Sequence, residues 1–267
     1  MAERNSYQDD SLIRGYSIHL QRYQFASELC DRKDVLDAGC GIGYGSGFLA
    51  SRGAKTVIAV DLSSEAIAEA RNLYHEGPVQ FIVGDLQQLN EVMDPARIRF
   101  DCIVNLENIE HLPRPEAFLK HVVSFLREDG VFICSTPNGE LTERDERGGI
   151  KNKYHLREYT ASEFTDLLKD YFAAIDLHGQ WQTHAGKARV MAARMLFEQL
   201  CEAYYNPMSR LGRVLKRMVG RRVAPPPQYT AEGESYPWDD VIAPLGSRLI
   251  PWPPRYLLAV CRLPRQG

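Results

Sequence analysis

An apolar segment ends in an acidic residue and then turns through alternate glycines, VLDAGCGIGYG at residues 35–45. This feature constrains the 267-residue chain more than any other. Glycines at 39, 41 and 43 let the backbone take positive φ and approach a ligand closely. A helix starting at Tyr44 would then present its free N–H groups to that ligand. The rest of the first two-thirds repeats the pattern. Val35–Ala38, Thr56–Val60, Val79–Val83, Phe100–Asn105 and Val131–Ser135 read as strands, apolar enough to be covered on both faces. Helices are expected between them at Tyr44–Ser51, Ser63–Tyr74 and Pro115–Leu126, the last closed by Asp129-Gly130, and a Thr160–Glu163 capping box opens another to Lys169. Such alternation predicts an α/β fold with a doubly wound, parallel sheet.

A glycine turn alone also admits a dinucleotide. Asp37 argues against a pyrophosphate, since a carboxylate just before the glycines would repel it and would attract the ammonium of a methionine moiety. The spacing agrees. G-x-G-x-x-G read from Gly39 or Gly41 places Tyr44 or Ser46 third, and the frame Gly45, Gly47, Ala50 lies too deep in the helix. Asp61 ends the second strand, roughly 20 residues past the glycines, where an acid reaches ribose hydroxyls. Asp85 follows the third strand, where its carboxylate would accept from an adenine amino group while Leu62 and Leu86 sandwich the ring. Taken singly, Asp61 also reads as a helix N-terminal charge and Asp85 as a loop residue.

These residues carry a resemblance. Residues 35–43 resemble motif I of the class I (Rossmann-like) S-adenosylmethionine-dependent methyltransferases, VIAVDLSSEAI its successor and FIVGDLQQL motif II. FDCIVNLENIEHLPRPEAFL resembles motif IV of a small-molecule subgroup that includes ubiquinone-biosynthesis-type enzymes, and DGVFICSTPN the fifth-strand motif. HLQRYQFA and NKYHLREYTASEFTDLLKDYF look like a bacterial branch that modifies glycans and secondary metabolites. The resemblance spans about residues 15–180 and a closing strand near 256–262, and it implies a doubly wound, mostly parallel sheet of seven strands with a helical insertion before the last. It implies S-adenosylmethionine as cofactor, bound by Asp37, Gly39, Gly41, Gly43, Asp61, Leu62, Asp85, Leu86 and Asn105. The implied reaction is O-methylation of a sugar or other small hydroxylated metabolite, in polysaccharide or secondary-metabolite biosynthesis. Methylation of a quinone- or polyketide-like acceptor and a non-catalytic, cofactor-binding regulatory protein are the alternatives.

Methyl transfer from a sulfonium needs the acceptor positioned and, for a hydroxyl, its proton removed. His111 is the base candidate, because histidine takes a proton near neutral pH with little tuning; the competing reading is a structural histidine packing the Leu112-Pro113 turn. Glu107, four residues earlier, would share its face on a helical turn and assist it. Glu110 is nearby. His155, Tyr16 and Arg22 are expected on the substrate side, Arg22 also within reach of the cofactor carboxylate. No metal is expected, since two ligands are too few and nothing in the sequence fixes His155 near His111.

Four segments follow: a helical N-terminal cap at 1–30, the core at 31–183, a basic helical and Pro-rich insertion at 184–254, and the last core strand at 255–267. Between residues 186 and 222 nine Lys/Arg face two acidic residues. Three readings stay open for this insertion: a solvated helix pair over the pocket, a contact for an anionic small-molecule or glycan acceptor, and a peripheral membrane contact using Met191, Met195, Leu196, Phe197 and Leu200. The formal net charge of -3 argues against nucleic acid as a partner. The six cysteines form no CxxC pair and are read as buried free thiols. With a polar N-terminus and no spanning apolar run, a cytoplasmic location is expected.

Overall fold

The computed structural model describes residues 10–75, 77–184, 238–245 and 253–265. Most of the basic insertion, including Met191–Leu200 and Arg210–Arg222, therefore lies outside the described residues, as does Cys201. The chain divides into two compact units. One is Met1–Gln180 with Ile242–Leu245 and Pro253–Gly267; the other is Trp181–Val241 with Gly246–Trp252. Every site residue discussed below belongs to the first.

That unit is an α/β sandwich around one twisted sheet. Strands β1 (Asp34–Ala38), β2 (Thr56–Asp61), β3 (Val79–Val83), β4 (Phe100–Leu106) and β5 (Leu126–Pro137) pair in parallel. β6 (Phe172–His184), β7 (Trp238–Pro244) and β8 (Tyr256–Pro264) complete the order β3-β2-β1-β4-β5-β8-β6-β7, with β8 antiparallel to both neighbours. The doubly wound, mostly parallel sheet is as the sequence predicts, but it carries an eighth strand. β7 adds at the β6 edge, where the Leu245 amide donates to the Leu177 carbonyl at 2.8 Å.

Helices α1 (Asp10–Cys30), α2 (Tyr44–Ser51), α3 (Ser64–Leu73), α4 (Pro115–Phe125) and α5 (Ala161–Lys169) flank the sheet. Burial explains each face. Tyr23, Ala26 and Cys30 of α1 pack with Val35, Leu49, Val57, Cys102 and Val104, while Phe118, Leu119, Val122 and Phe125 of α4 join Phe132, Phe164 and Phe172 on the opposite side. Ser63 caps α3 by accepting from the Ala66 amide at 3.2 Å, and the Thr160–Glu163 box opens α5 as expected. The five described cysteines are buried and free.

One boundary moves. Asp129-Gly130 does not close α4; the helix stops at Phe125, and Leu126 already pairs with Phe100. Residues 127–130 then bulge before Cys102 pairs with Val131. Arg127 bonds Asp101 and Asp34 across the lower edge of the sheet, which holds the bulge in place. Among the described residues no helix is long and apolar enough to cross a membrane.

Candidate active site

The parallel register sets the upper ends of β1, β2, β3 and β4 side by side, with Ala38 opposite Val60 and Asp61 opposite Val83. The glycine turn crosses this rim. Gly39, Gly41 and Gly43 have φ of +87°, +54° and +83°, all in the left-handed region that disfavours a side chain. Two of them are also hemmed in. A Cβ on Gly39 would meet Asn108 Cγ at 2.6 Å, and one on Gly43 would meet Phe81 Cε1 at 2.6 Å. At Gly41 a Cβ would meet nothing within 4 Å. The turn is thus closed beneath and open above, a cradle for a ligand lying against its backbone.

Gly45 and Gly47 serve a different end. Added Cβ atoms would fall 2.0 Å from Tyr23 Cζ and 2.6 Å from Tyr74 Cδ1. They let two aromatic rings close on α2, which removes the deeper dinucleotide frame.

Asp37 is fully buried under the turn. Its carboxylate accepts from Tyr23 Oη at 3.1 Å and from Ser46 Oγ at 2.6 Å. Burial, reinforced by the nearby Asp61 charge, pushes its pKa up to about 6 against the pull of those two hydrogen bonds. It therefore acts on a ligand as a charge seated beneath the glycines rather than through a free surface oxygen. Neither Tyr23 nor Ser46 is marked by the sequence motif.

Asp61 accepts from the Gly41 amide (2.8 Å) through one oxygen and the Ser63 amide (2.9 Å) through the other. Each oxygen keeps a second acceptor site, enough for a pair of adjacent hydroxyls. Asp85 caps the turn Leu86–Glu91 by accepting from the Gln87 amide at 2.8 Å. Leu62 is exposed, whereas Leu86 is only 5% exposed and packs in the core, so the expected leucine sandwich has one side only. The cap turns Leu86 inward. Asn105, also fully buried, donates to the Ala38 carbonyl (2.7 Å) and to Asn108 Oδ1 (3.1 Å), tying the end of β4 to the glycine turn.

The segment after β4 is laced to the loop before α5. His111 Nδ1 bonds the Tyr154 carbonyl at 2.8 Å, and the Leu156 and Arg157 amides donate to the Glu110 carbonyl at 3.0 and 3.3 Å. A carbonyl can only accept, so His111 carries a proton on Nδ1, and in the neutral ring the lone pair is on Nε2. His155 Nδ1 lies 2.6 Å from Glu158 Oε1, and its Nε2 accepts from Asn152 Nδ2 at 2.9 Å. The two imidazoles meet edge to face with centroids 5.0 Å apart. This corrects the expectation that nothing fixes His155 near His111: the His111 ring and the Glu110 carbonyl bond Tyr154, Leu156 and Arg157, at least 43 residues away, which no local motif reveals.

Glu107 has φ +52°, a strained conformation for a non-glycine residue. Ser135 of β5 holds it there, its hydroxyl donating to Glu107 Oε1 at 2.8 Å and accepting from the Glu107 amide at 3.1 Å. Glu107 therefore does not stack with His111 on one helical face; only a single turn, Ile109–His111, separates them. Glu110, read only as a neighbour, is the buried one, and burial together with the Glu107 charge raises its pKa well above the ordinary carboxylate range.

Arg22 is fully buried. It donates to Gln180 Oε1 at 2.5 Å, lies 3.8 Å from Glu107 Oε2, and stacks on Tyr256 at 4.3 Å from the ring centroid. It joins α1, β4, β6 and β8 instead of lining an open surface. Tyr16 falls in α1 at a position whose side chain lies outside the described set.

A family model described as a methyltransferase domain matches residues 14–174. A probable S-adenosylmethionine-dependent methyltransferase of Mycobacterium tuberculosis is 36% identical over 177 residues, covering 66% of this chain; the chain spans 61% of that relative's length. A fatty-acid O-methyltransferase of Mycolicibacterium smegmatis is 34% identical over 127 residues, 47% of this chain and 44% of the relative. Among solved structures, an S-adenosylmethionine-dependent methyltransferase from Thermotoga maritima superposes with a TM-score of 0.56 at 14% identity, over 95% of this chain and 94% of that one, a likeness of fold.

Proposed function

This chain belongs to the class I methyltransferases, and on that premise we propose that it uses S-adenosylmethionine to methylate an oxygen of a small hydroxylated acceptor, a sugar foremost. The observation that carries the reading is the His111 geometry: Nδ1–H committed to the Tyr154 carbonyl, Nε2 left with its lone pair, on the segment that Asn105 and Asn108 bind to the glycine turn. The cradle over Gly41 fits the methionine end of the cofactor, and Asp61 fits its ribose hydroxyls.

S-adenosylmethionine bound here would supply an electrophilic methyl on its sulfonium, the sulfur keeping the S–C bonding pair when the methyl passes to the acceptor oxygen. His111 Nε2 receives the hydroxyl proton. The Tyr154 carbonyl and the edge of His155 hold the imidazole in that attitude. Glu107, clamped by Ser135 and faced by Arg22, orients the acceptor. The charged and imidazole groups at this rim favour a polar acceptor over a quinone- or polyketide-like one, which an apolar lining would suit. The Mycolicibacterium relative's name, an O-methyltransferase, supports oxygen as the attacking atom.

The test is methyl transfer from labelled S-adenosylmethionine to a panel of sugars, phenols and fatty acids, with His111→Ala beside the wild type. Transfer to a hydroxylated acceptor that falls about 10²–10⁴-fold in the variant, with cofactor affinity retained, supports the reading. Full activity in the variant removes the base role. Cofactor binding without any turnover would instead favour a non-catalytic regulator.

A further inference from the structure

We propose that Glu110, His111 and His155 form a binding site for a divalent cation of the Mn²⁺, Co²⁺ or Zn²⁺ class. Each offers one ligand atom, and the three atoms lie within 4.8 Å of one another. His111 Nε2 and Glu110 Oε1 are 4.0 Å apart. Metal–ligand bonds of about 2.0–2.2 Å place neighbouring ligand atoms roughly 3–3.5 Å apart, so the cluster needs to close by about an ångström.

Two independent features mark this cluster as more than proximity. The first is the arrangement behind the rings. Both histidines hold Nδ1 against an acceptor, His111 against the Tyr154 carbonyl and His155 against the Glu158 carboxylate, and both present Nε2. That is how metal-binding imidazoles are held, with the far nitrogen fixing ring orientation and raising the basicity of the ligating one. The second is the burial of the Glu110 carboxyl, whose Oε2 has only the neighbouring Thr136 hydroxyl as a partner while Oε1 faces His111 Nε2. A buried carboxylate is costly unless paired, and a cation bound at Oε1 supplies the partner. Glu107 is held aside from the cluster, its Oε1 bonded by Ser135 and its Oε2 3.8 Å from Arg22. The Asn152 amide now at His155 Nε2 is the one contact that a cation displaces.

Two imidazoles and one carboxylate are a mixed nitrogen–oxygen set, which suits borderline divalent cations better than Mg²⁺ or Ca²⁺. The inference deepens the proposed function and rests on its placement of the acceptor over His111. A cation here binds an acceptor oxygen directly and acidifies its hydroxyl, whose proton then leaves to water; with the cation bound His111 is a ligand, and it acts as base only in the cation-free protein. An acceptor with two adjacent oxygens, such as a vicinal diol, would chelate it.

The test needs no acceptor. Full-length protein freed of metal with a chelator is titrated with Co²⁺, followed by visible absorption and calorimetry. One equivalent with d–d bands of nitrogen–oxygen ligation is expected, weakened more than tenfold in His155→Ala and Glu110→Gln, and about 10–100-fold in Glu158→Gln, which leaves all three ligands present. S-adenosylhomocysteine affinity, measured on the same samples, reports that each variant is folded. Absence of saturable Co²⁺ binding overturns the site, as does wild-type affinity in any folded variant of the three. Methyl transfer without any cation would leave the proposed function standing and remove only the metal.

Discussion

Asp37 shows how one residue can serve binding at the expense of stability. Its folded pKa of about 6 lies above the ordinary 3.8, so the native state holds a proton that the unfolded chain releases between those values. Stability from this group is therefore lost as pH rises through 4–6, and at neutral pH the buried charge costs on the order of 2–3 kcal/mol. Asp37→Asn should accordingly match or exceed the wild type in thermal stability at pH 7.5, the difference shrinking toward pH 5, as scanning calorimetry would show. Cofactor affinity should behave oppositely. A cationic ligand favours the ionised carboxylate, so wild-type affinity tightens as pH rises through 6 and the variant's stays flat. The acid itself was legible from its place before the glycines. Its seat on Tyr23 and Ser46 was not, because those partners come from α1 and from inside α2.

The glycine turn is an element whose members do unequal work, and substitution separates them. Gly43→Ala meets both a positive φ and the Phe81 ring, so it should lose well over the ~1–2 kcal/mol of left-handed strain in a denaturant titration. Gly41→Ala carries the strain without the clash, and its methyl points into the open cradle. It should cost about 1–2 kcal/mol of stability and a larger share of cofactor affinity. The sequence marked the three glycines as equals, since spacing records that a side chain is unwelcome but not what would meet it. Strand β6 escaped individual reading for a related reason. Asp176, His178 and Gln180 alternate with Ile175, Leu177 and Trp181 as in a half-solvated strand, yet Gln180 is buried because it receives Arg22, a contact 158 residues distant in sequence. The Ile109–His111 turn and the 152–158 loop show the same limit: each was visible, but their lacing depends on backbone hydrogen bonds that no side-chain pattern encodes.

At the scale of the whole molecule, the first unit carries both the cradle and the His111 cluster, whereas the basic residues between 186 and 222 belong to the second. Binding of the cofactor at the rim of β1 and β2 is tested most directly by calorimetric titration of the wild type and Asp61→Ala with S-adenosylmethionine and with NAD. One equivalent of S-adenosylmethionine bound by the wild type, at least tenfold weaker binding in the variant, and no heat from NAD is the predicted result. Binding of NAD, or S-adenosylmethionine affinity untouched by the loss of Asp61, would contradict it.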